Sequence, residues 1–246
     1  MGMENLLNYY FIMKIRFVTV LLACSLAGGL FAQQPWFKDK DLTLTGAYYY
    51  PELWDESQWE RDFKQMHDLG FEFTHFAEFA WAQLEPEEGK YDFAWLDKAE
   101  AMAAKYDLQV IMSTSTATPP VWLSRKYPEI LIKNENGTVL DHGARQQASF
   151  ASPVYRELAY KMIEKLAQHY GNDSRIIGWQ LDNEPAVQFD YNPKAELAFR
   201  DFLREKYHHD IKALNDAWGT AFWSEVYSSF DEITLPKTAQ MFMNHH

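Results

Sequence analysis

Cysteine is almost missing from this chain: Cys24 is the single one in 246 residues. It lies in an N-terminal stretch that reads as a leader, so the remaining chain has no thiol. Disulfides and a cysteine-ligated zinc are therefore not expected. Basic residues are scarce as well. Lys and Arg number 23 against 35 Asp and Glu, a net charge of −12. Phosphate binding needs clustered Lys and Arg, so nucleic acid and anionic membrane surfaces are disfavoured as partners. There is no internal repeat, no low-complexity tract and no obvious linker. No apolar run is comfortably long enough for a membrane span, which needs about 20 residues. What is left is an ordinary globular composition, 47% hydrophobic and 24% charged. Its length suits one or two domains with a core of useful size.

The N-terminus is read as targeting rather than fold. Met13-Lys14-Ile15-Arg16 is a short basic start, Phe17 to Leu30 is apolar and small, and Leu30-Phe31-Ala32 before Gln33 resembles a signal-peptidase boundary. The expected organisation is thus 1–32, a signal peptide with an upstream extension, and 33–246, the mature chain. Leu21-Leu22-Ala23-Cys24 offers a rival reading as a lipoprotein box, with Cys24 carrying the anchor. Both readings imply export, to the periplasm or the exterior.

From residue 42 onward, strand-like and helix-like segments alternate. Leu42 to Tyr50, Phe71 to Phe79, Leu108 to Met112 and Arg175 to Leu181 are β-prone. Asp55 to Leu69 is helical, with Trp59, Phe63, Met66 and Leu69 at three- and four-residue steps. Phe93 to Tyr106 and Lys194 to Tyr207 are helical too, and Ser152-Pro153 opens a long helix that Gly171 ends. Four strand–helix units in alternation imply parallel strands with right-handed crossovers. Helix-to-strand joins are short, whereas strand-to-helix loops (79–93 and 113–151) are long. In a (β/α)₈ barrel those long loops build the active face. A doubly wound sheet is the competing architecture, but it should show a glycine-rich phosphate loop after its first strand. Tyr49-Tyr50-Pro51-Glu52 stands there instead. The expected fold class is α/β, a (β/α)₈ TIM barrel of which this chain holds the N-terminal half.

Polar side chains gather where each strand ends: Tyr50 and Glu52, His75 and Glu78, Ser113 to Thr118, and Gln180, Asp182, Asn183 and Glu184. Alternation along a strand puts Gln180, Asp182 and Glu184 on one face and turns Asn183 the other way until the strand bends at its end. A carboxylate at such a rim, amid Trp and Tyr, is expected to be partly desolvated, which favours its protonated form. On these grounds alone a structural clamp and a catalytic acid are equally good readings of Glu184. The aromatic content, 16% with nine Trp and fourteen Tyr, would suit a sugar's apolar C–H faces, although most such rings belong to a core.

Five motifs tip that balance. Tyr49-Tyr50-Pro51-Glu52-Leu53-Trp54, Glu78-Phe79-Ala80-Trp81 with Leu84-Glu85-Pro86-Glu87-Glu88-Gly89, Pro119-Pro120-Val121-Trp122-Leu123, Trp179-Gln180-Leu181-Asp182-Asn183-Glu184 and Ala217-Trp218-Gly219-Thr220-Ala221-Phe222-Trp223 occur in one register. Together they resemble the family 42 glycoside hydrolases, retaining β-galactosidases built on (β/α)₈ barrels, over roughly residues 43–236. The resemblance implies that Glu184 is the general acid/base and that Asn183 bonds the sugar near its 2-hydroxyl. It also implies that Arg145 binds galactose hydroxyls, a residue that would otherwise read as a solvated loop charge. Glu78 is a further candidate for holding sugar hydroxyls. Trp223 is a candidate ring wall, with core packing as its alternative. No cofactor is implied.

The departures are as informative. Many relatives carry a cysteine where Ser149 stands and three more after the fourth strand; this chain has none of them, so that zinc site is not expected. Position 75, often arginine, is His75. His208-His209-Asp210 and His245-His246 lie off the strand-end face and read as solvated surface. The resemblance places the nucleophile on a seventh strand, and none of Glu52, Glu78 and Asp182 matches it. The chain is therefore expected to be a truncated product or fragment that does not hydrolyse galactosides alone. It would have to pair its open sheet edges with a second copy or a missing half. The expected substrate is a terminal β-galactoside in an oligosaccharide or polysaccharide. A carbohydrate-binding half barrel without activity is the alternative, and another retaining activity, an arabinosidase or fucosidase, is a third. Homo-oligomers, often trimers among relatives, are implied by the resemblance alone.

Overall fold

The computed structural model describes residues 44–143, 145–184 and 189–237, apart from the Trp223 side chain. The chain divides into a unit of residues 1–44 and one of 45–246, and every element below belongs to the second. The leader and the Cys24 box lie outside the described residues, as do His245 and His246. No helix among the described residues is long and apolar enough to cross a membrane.

Four strands form one parallel sheet in the order of the sequence: β1 (Gly46–Tyr48), β2 (Phe73–Phe76), β3 (Gln109–Ser113) and β4 (Ile176–Gln180). Helices α1 (Glu56–Asp68), α3 (Ala94–Lys105) and α5 (Pro153–Tyr170) form the crossovers. The short helices α2 (Trp81–Leu84) and α4 (Val121–Lys126) lie within the long strand-to-helix loops, and α6 (Pro193–Lys206) and α7 (Ile211–Trp218) follow β4. A doubly wound sheet reverses its strand order at a switch point. Here the order runs monotonically, as it does along a barrel wall. β1 and β4 are outermost, and all five residues of β4 stay partly exposed.

Alternation explains which face carries what. Ala47, Tyr49, Phe76, Val110 and Met112 belong to the core on the helix side, where Phe63 of α1 meets Tyr49 and Phe76 at ring-centroid distances of 4.8 and 5.7 Å. α1 forms because Trp59, Phe63 and Met66 share one face and the Asp55 carboxylate caps it by accepting from Ser57 N. α5 opens as its sequence suggests, with Pro153 in the first turn and Ser152 Oγ accepting from Tyr155 N. A second, smaller core joins Leu203, Leu214, Phe230 and Ile233.

The opposite face carries Gly46, Tyr48, Phe73, His75, Ile111 and Gly178. A Cβ on Gly46 would sit 2.5–2.6 Å from the Phe73 ring, whereas one on Gly178 would meet Ile111 at 3.7 Å. Gly46→Ala must therefore displace a ring next to the β1–β2 register and is expected to cost about 1–3 kcal/mol. Gly178→Ala, in ordinary contact, should leave the midpoint of chemical denaturation unchanged.

Candidate active site

The strands' C-terminal ends converge on a cleft of about 430 Å³ lined by Tyr48, Tyr50, Glu78, Phe79, Arg145, Gln180, Asn183 and Glu184. Backbone geometry aims these side chains. Of nine non-glycine residues with positive φ among the described residues, five (Ala77, Ser115, Gln146, Asp182 and Glu184) lie in the loops after β2, β3 and β4. Such a conformation costs an L residue about 1–3 kcal/mol and persists where surrounding contacts enforce it. The turn at Ala77 is held by Ser115 Oγ, which donates to the Ala77 carbonyl.

A continuous polar chain crosses the cleft. Tyr50 Oη donates to Glu78 Oε2 at 2.5 Å, and Gln180 Nε2 donates to Glu78 Oε1 at 3.3 Å. The Asn183 amide is oriented by its neighbours, since Arg145 only donates and the Glu78 carboxylate only accepts. Its nitrogen then lies 2.6 Å from Glu78 Oε1 and its oxygen 2.6 Å from Arg145 Nη1. Arg145 Nη2 in turn meets Glu184 Oε2 at 2.6 Å. Glu78 and Asn183 are buried, 6% and 4% exposed. Glu78, Arg145, Asn183 and Glu184 are thus brought together from three separate loops, and the Trp223 side chain lies outside the described residues.

Two expectations need correction. Strict alternation does not continue past Gln180, where β4 ends, because the chain turns through left-handed conformations at Asp182 and Glu184. Asn183 consequently joins Gln180 in the cleft, while Asp182 turns away: its Oδ2 accepts from Thr116 Oγ1 at 3.0 Å and its backbone N–H donates to Thr114 Oγ1. Asp182 is a clamp between the third and fourth loops. Nor is Glu184 desolvated. Its side chain is 68% exposed and held by an arginine.

Gln146 escaped the sequence reading. Its Nε2 donates to the carbonyls of Asn183 and Glu184 at 2.7 and 3.0 Å, holding their turn against the 145–146 loop. Nothing in a Gln-Gln dipeptide signals that role. Glu85, of the acidic motif after α2, is a buried strut that accepts from Trp81 Nε1 (2.7 Å) and Gly89 N (2.8 Å). His208 and His209 are exposed, and Asp210 caps α7. Ser149 is fully buried and accepts from Ala151 N at 3.2 Å, a hydroxyl where a metal thiolate would be required.

Burial tunes the groups around the cleft. His75 is 3% exposed, its ring edge-on to Tyr48 at 4.2 Å. Burial lowers its pKa to about 4 against the opposing pull of Glu78, so it is neutral at pH 7. Burial, with the hydrogen bond to Glu78, raises the Tyr50 hydroxyl and keeps it a donor. Burial also raises Glu52 to about 7, aided by Glu78, and its Oε2 finds no partner. Glu100, buried on α3 with Arg175 Nε 2.6 Å away, is raised to about 7 by the same cause. Both carboxyls bind a proton more tightly folded than unfolded, where a glutamate titrates near about 4.3. The stability they contribute is complete below that value and is lost as pH rises through 7. Glu52→Gln, which stays neutral, is expected to melt above the parent at pH 8 and level with it at pH 4.

Residues 48–246 match the model of glycoside hydrolase family 42, described as β-galactosidase. The chain is 44% identical over 196 residues to a β-galactosidase of Thermus thermophilus, a stretch covering 78% of this chain and 30% of that protein. It is 42% identical over 194 residues to the β-galactosidase Bga of Halorubrum lacusprofundi, covering 78% and 28%. Among solved structures it resembles the β-galactosidase from the psychrophilic Marinomonas ef1, with a TM-score of 0.78 and 39% identity over 82% of this chain and 31% of that one. The catalytic domain of a Paenibacillus polymyxa β-amylase shares the fold alone, at TM-score 0.57 and 18% identity. The four-stranded sheet is accordingly half of a (β/α)₈ barrel. The chain spans about 30% of the length of the curated relatives it matches.

Proposed function

The chain belongs to glycoside hydrolase family 42, and from that membership we propose that the protein it forms part of is a retaining β-galactosidase with Glu184 as proton donor. The observation that carries this reading is the convergence of Glu184, Arg145, Asn183 and Glu78 on one cleft at the strand ends. A sugar hydroxyl entering there finds paired donors and acceptors already in place. Buried Glu78 accepts and Arg145 donates, while Asn183 does both. A galactosyl ring over the cleft would shed water from Glu184, and its hydroxyls would compete for the Arg145 guanidinium. Both changes favour proton delivery to the departing glycosidic oxygen.

Retention needs a second carboxylate roughly 5–5.5 Å from the first. Glu78 is engaged by Tyr50, Gln180 and Asn183, and Asp182 faces away. The nucleophile is therefore assigned to the part of the barrel that the relatives have beyond the matched stretch. Export, by signal peptide or with a lipid at Cys24, belongs to the same proposal on the strength of residues 13–33. So do oligosaccharide or polysaccharide substrates and a homo-oligomeric assembly.

The test is complementation. The chain alone is expected to leave a chromogenic β-galactoside intact. A chimera in which residues 45–246 replace the matching stretch of the Thermus thermophilus relative is expected to hydrolyse it. Turnover by the chain alone that disappears in Glu184→Gln would overturn the division of labour. A well-folded but inactive chimera that still binds galactose would favour a binding module.

A further inference from the structure

On the hydrolase reading of the cleft, we propose that Tyr48 is a further substrate-binding residue, whose phenol hydroxyl donates to a hydroxyl oxygen of the galactosyl unit. The run Tyr48-Tyr49-Tyr50 places three phenols at the end of β1, and the fold uses each differently. Tyr49 turns to the helix side, where its Oη donates to Asp62 Oδ2 at 2.8 Å. Tyr50 donates to Glu78 across the cleft floor. Tyr48 lines the cleft beside Glu78, Asn183 and Glu184 and stays 56% exposed. Its hydroxyl has no hydrogen-bond partner among the described residues. Of the two hydroxyls that line the cleft, that of Tyr50 is engaged by a carboxylate and that of Tyr48 is left for a ligand.

An exposed side chain serves recognition best when it is already fixed, because ordering a free rotamer on binding costs affinity. Tyr48 meets that condition. The β1–β2 register sets it opposite His75, whose ring it meets edge-on at 4.2 Å. The Tyr50 ring stacks with it at 6.4 Å and an interplanar angle of 18°. Partial burial, then the Glu78 and Glu184 carboxylates, raise its pKa. The phenol is therefore neutral at pH 7 and offers a proton to an acceptor. A galactosyl unit held by Glu78 and Arg145 presents hydroxyl oxygens to the same cleft, so that Tyr48 adds a donor from the β1 side.

The full chain is titrated, with NMR shift perturbation as the readout, against methyl β-galactoside and the set of its monodeoxy analogues, each lacking one hydroxyl. Tyr48→Phe keeps the ring and removes the donor. It is expected to weaken methyl β-galactoside binding about 3–10-fold, the range of one hydrogen bond. The midpoint of chemical denaturation should not move, since the hydroxyl ties nothing within the fold. One monodeoxy analogue should bind parent and variant alike, because it lacks the acceptor that Tyr48 reaches. Three results would overturn the assignment while the cleft's reading stands: an unchanged affinity in Tyr48→Phe, a loss of equal size against every analogue, or a lowered midpoint. Failure of the parent chain to bind methyl β-galactoside would overturn the cleft's reading and the Tyr48 contact together.

Discussion

In the barrel completed with the Thermus thermophilus remainder, Glu184→Gln is expected to lower kcat by about 10²–10⁴-fold, the usual contribution of a positioned general acid or base. The amide keeps the shape of the carboxyl and can still accept from Arg145, but it has no proton to give. The loss should depend on the leaving group. A nitrophenolate departs without protonation, so glycosyl transfer to the enzyme should suffer little with that substrate, whereas a sugar alkoxide needs the proton and should suffer fully. Measuring both substrates separates a lost proton donor from a disturbed cleft, because disturbance would slow the two alike. Equal losses of kcat/KM, which ends at glycosyl transfer and leaves out the base-assisted second step, would remove Glu184 from the acid role and return it to the alternative reading of a clamp for the Arg145 loop.

Phe63→Ala is expected to destabilise the fold by about 3–5 kcal/mol, the range for emptying a buried aromatic site. Phe63 has no exposed surface and touches Tyr49 at the end of β1 and Phe76 in β2. It therefore ties the first crossover helix to both strands that it connects. A globular domain holds only about 5–15 kcal/mol in total, so the variant should unfold at a much lower denaturant concentration. Leu53→Ala, at a position 71% exposed, is the control and should move the midpoint little. A small shift for Phe63→Ala would mean that the helix layer tolerates the cavity by collapsing around it.

Much of the architecture was legible residue by residue. The α1 face followed from Trp59, Phe63 and Met66 at helical spacing, and the start of α5 from Ser152-Pro153, because those signals are local and use only backbone geometry. Short α2 and α4 were hidden inside segments that read as loops. Four residues, or six, give too little periodicity to register, and Pro119-Pro120 masks the start of α4. The barrel's monotonic strand order was implied by alternation and by the missing phosphate loop. Tyr50, Glu78, Gln180, Asn183 and Glu184 were legible as strand-end residues, whereas Arg145 joined them only through the family resemblance. Arg145 and Glu184 stand 39 positions apart in the chain, and no spacing rule joins two loops.

By itself the sequence determined the parallel α/β rhythm, the motifs that assign the family and the absence of thiol chemistry in the chain after Cys24, since composition and short-range periodicity carry all three. Only the tertiary structure decided the roles within Gln180 to Glu184. Alternation rules hold only while a strand lasts, and here β4 ends before the acidic residues begin. Left-handed turns at Asp182 and Glu184, stabilised by Gln146 and Thr114, then put Asn183 in the cleft and sent Asp182 out of it. That exchange depends on contacts from the loops after β3, which no local reading of the fourth strand contains.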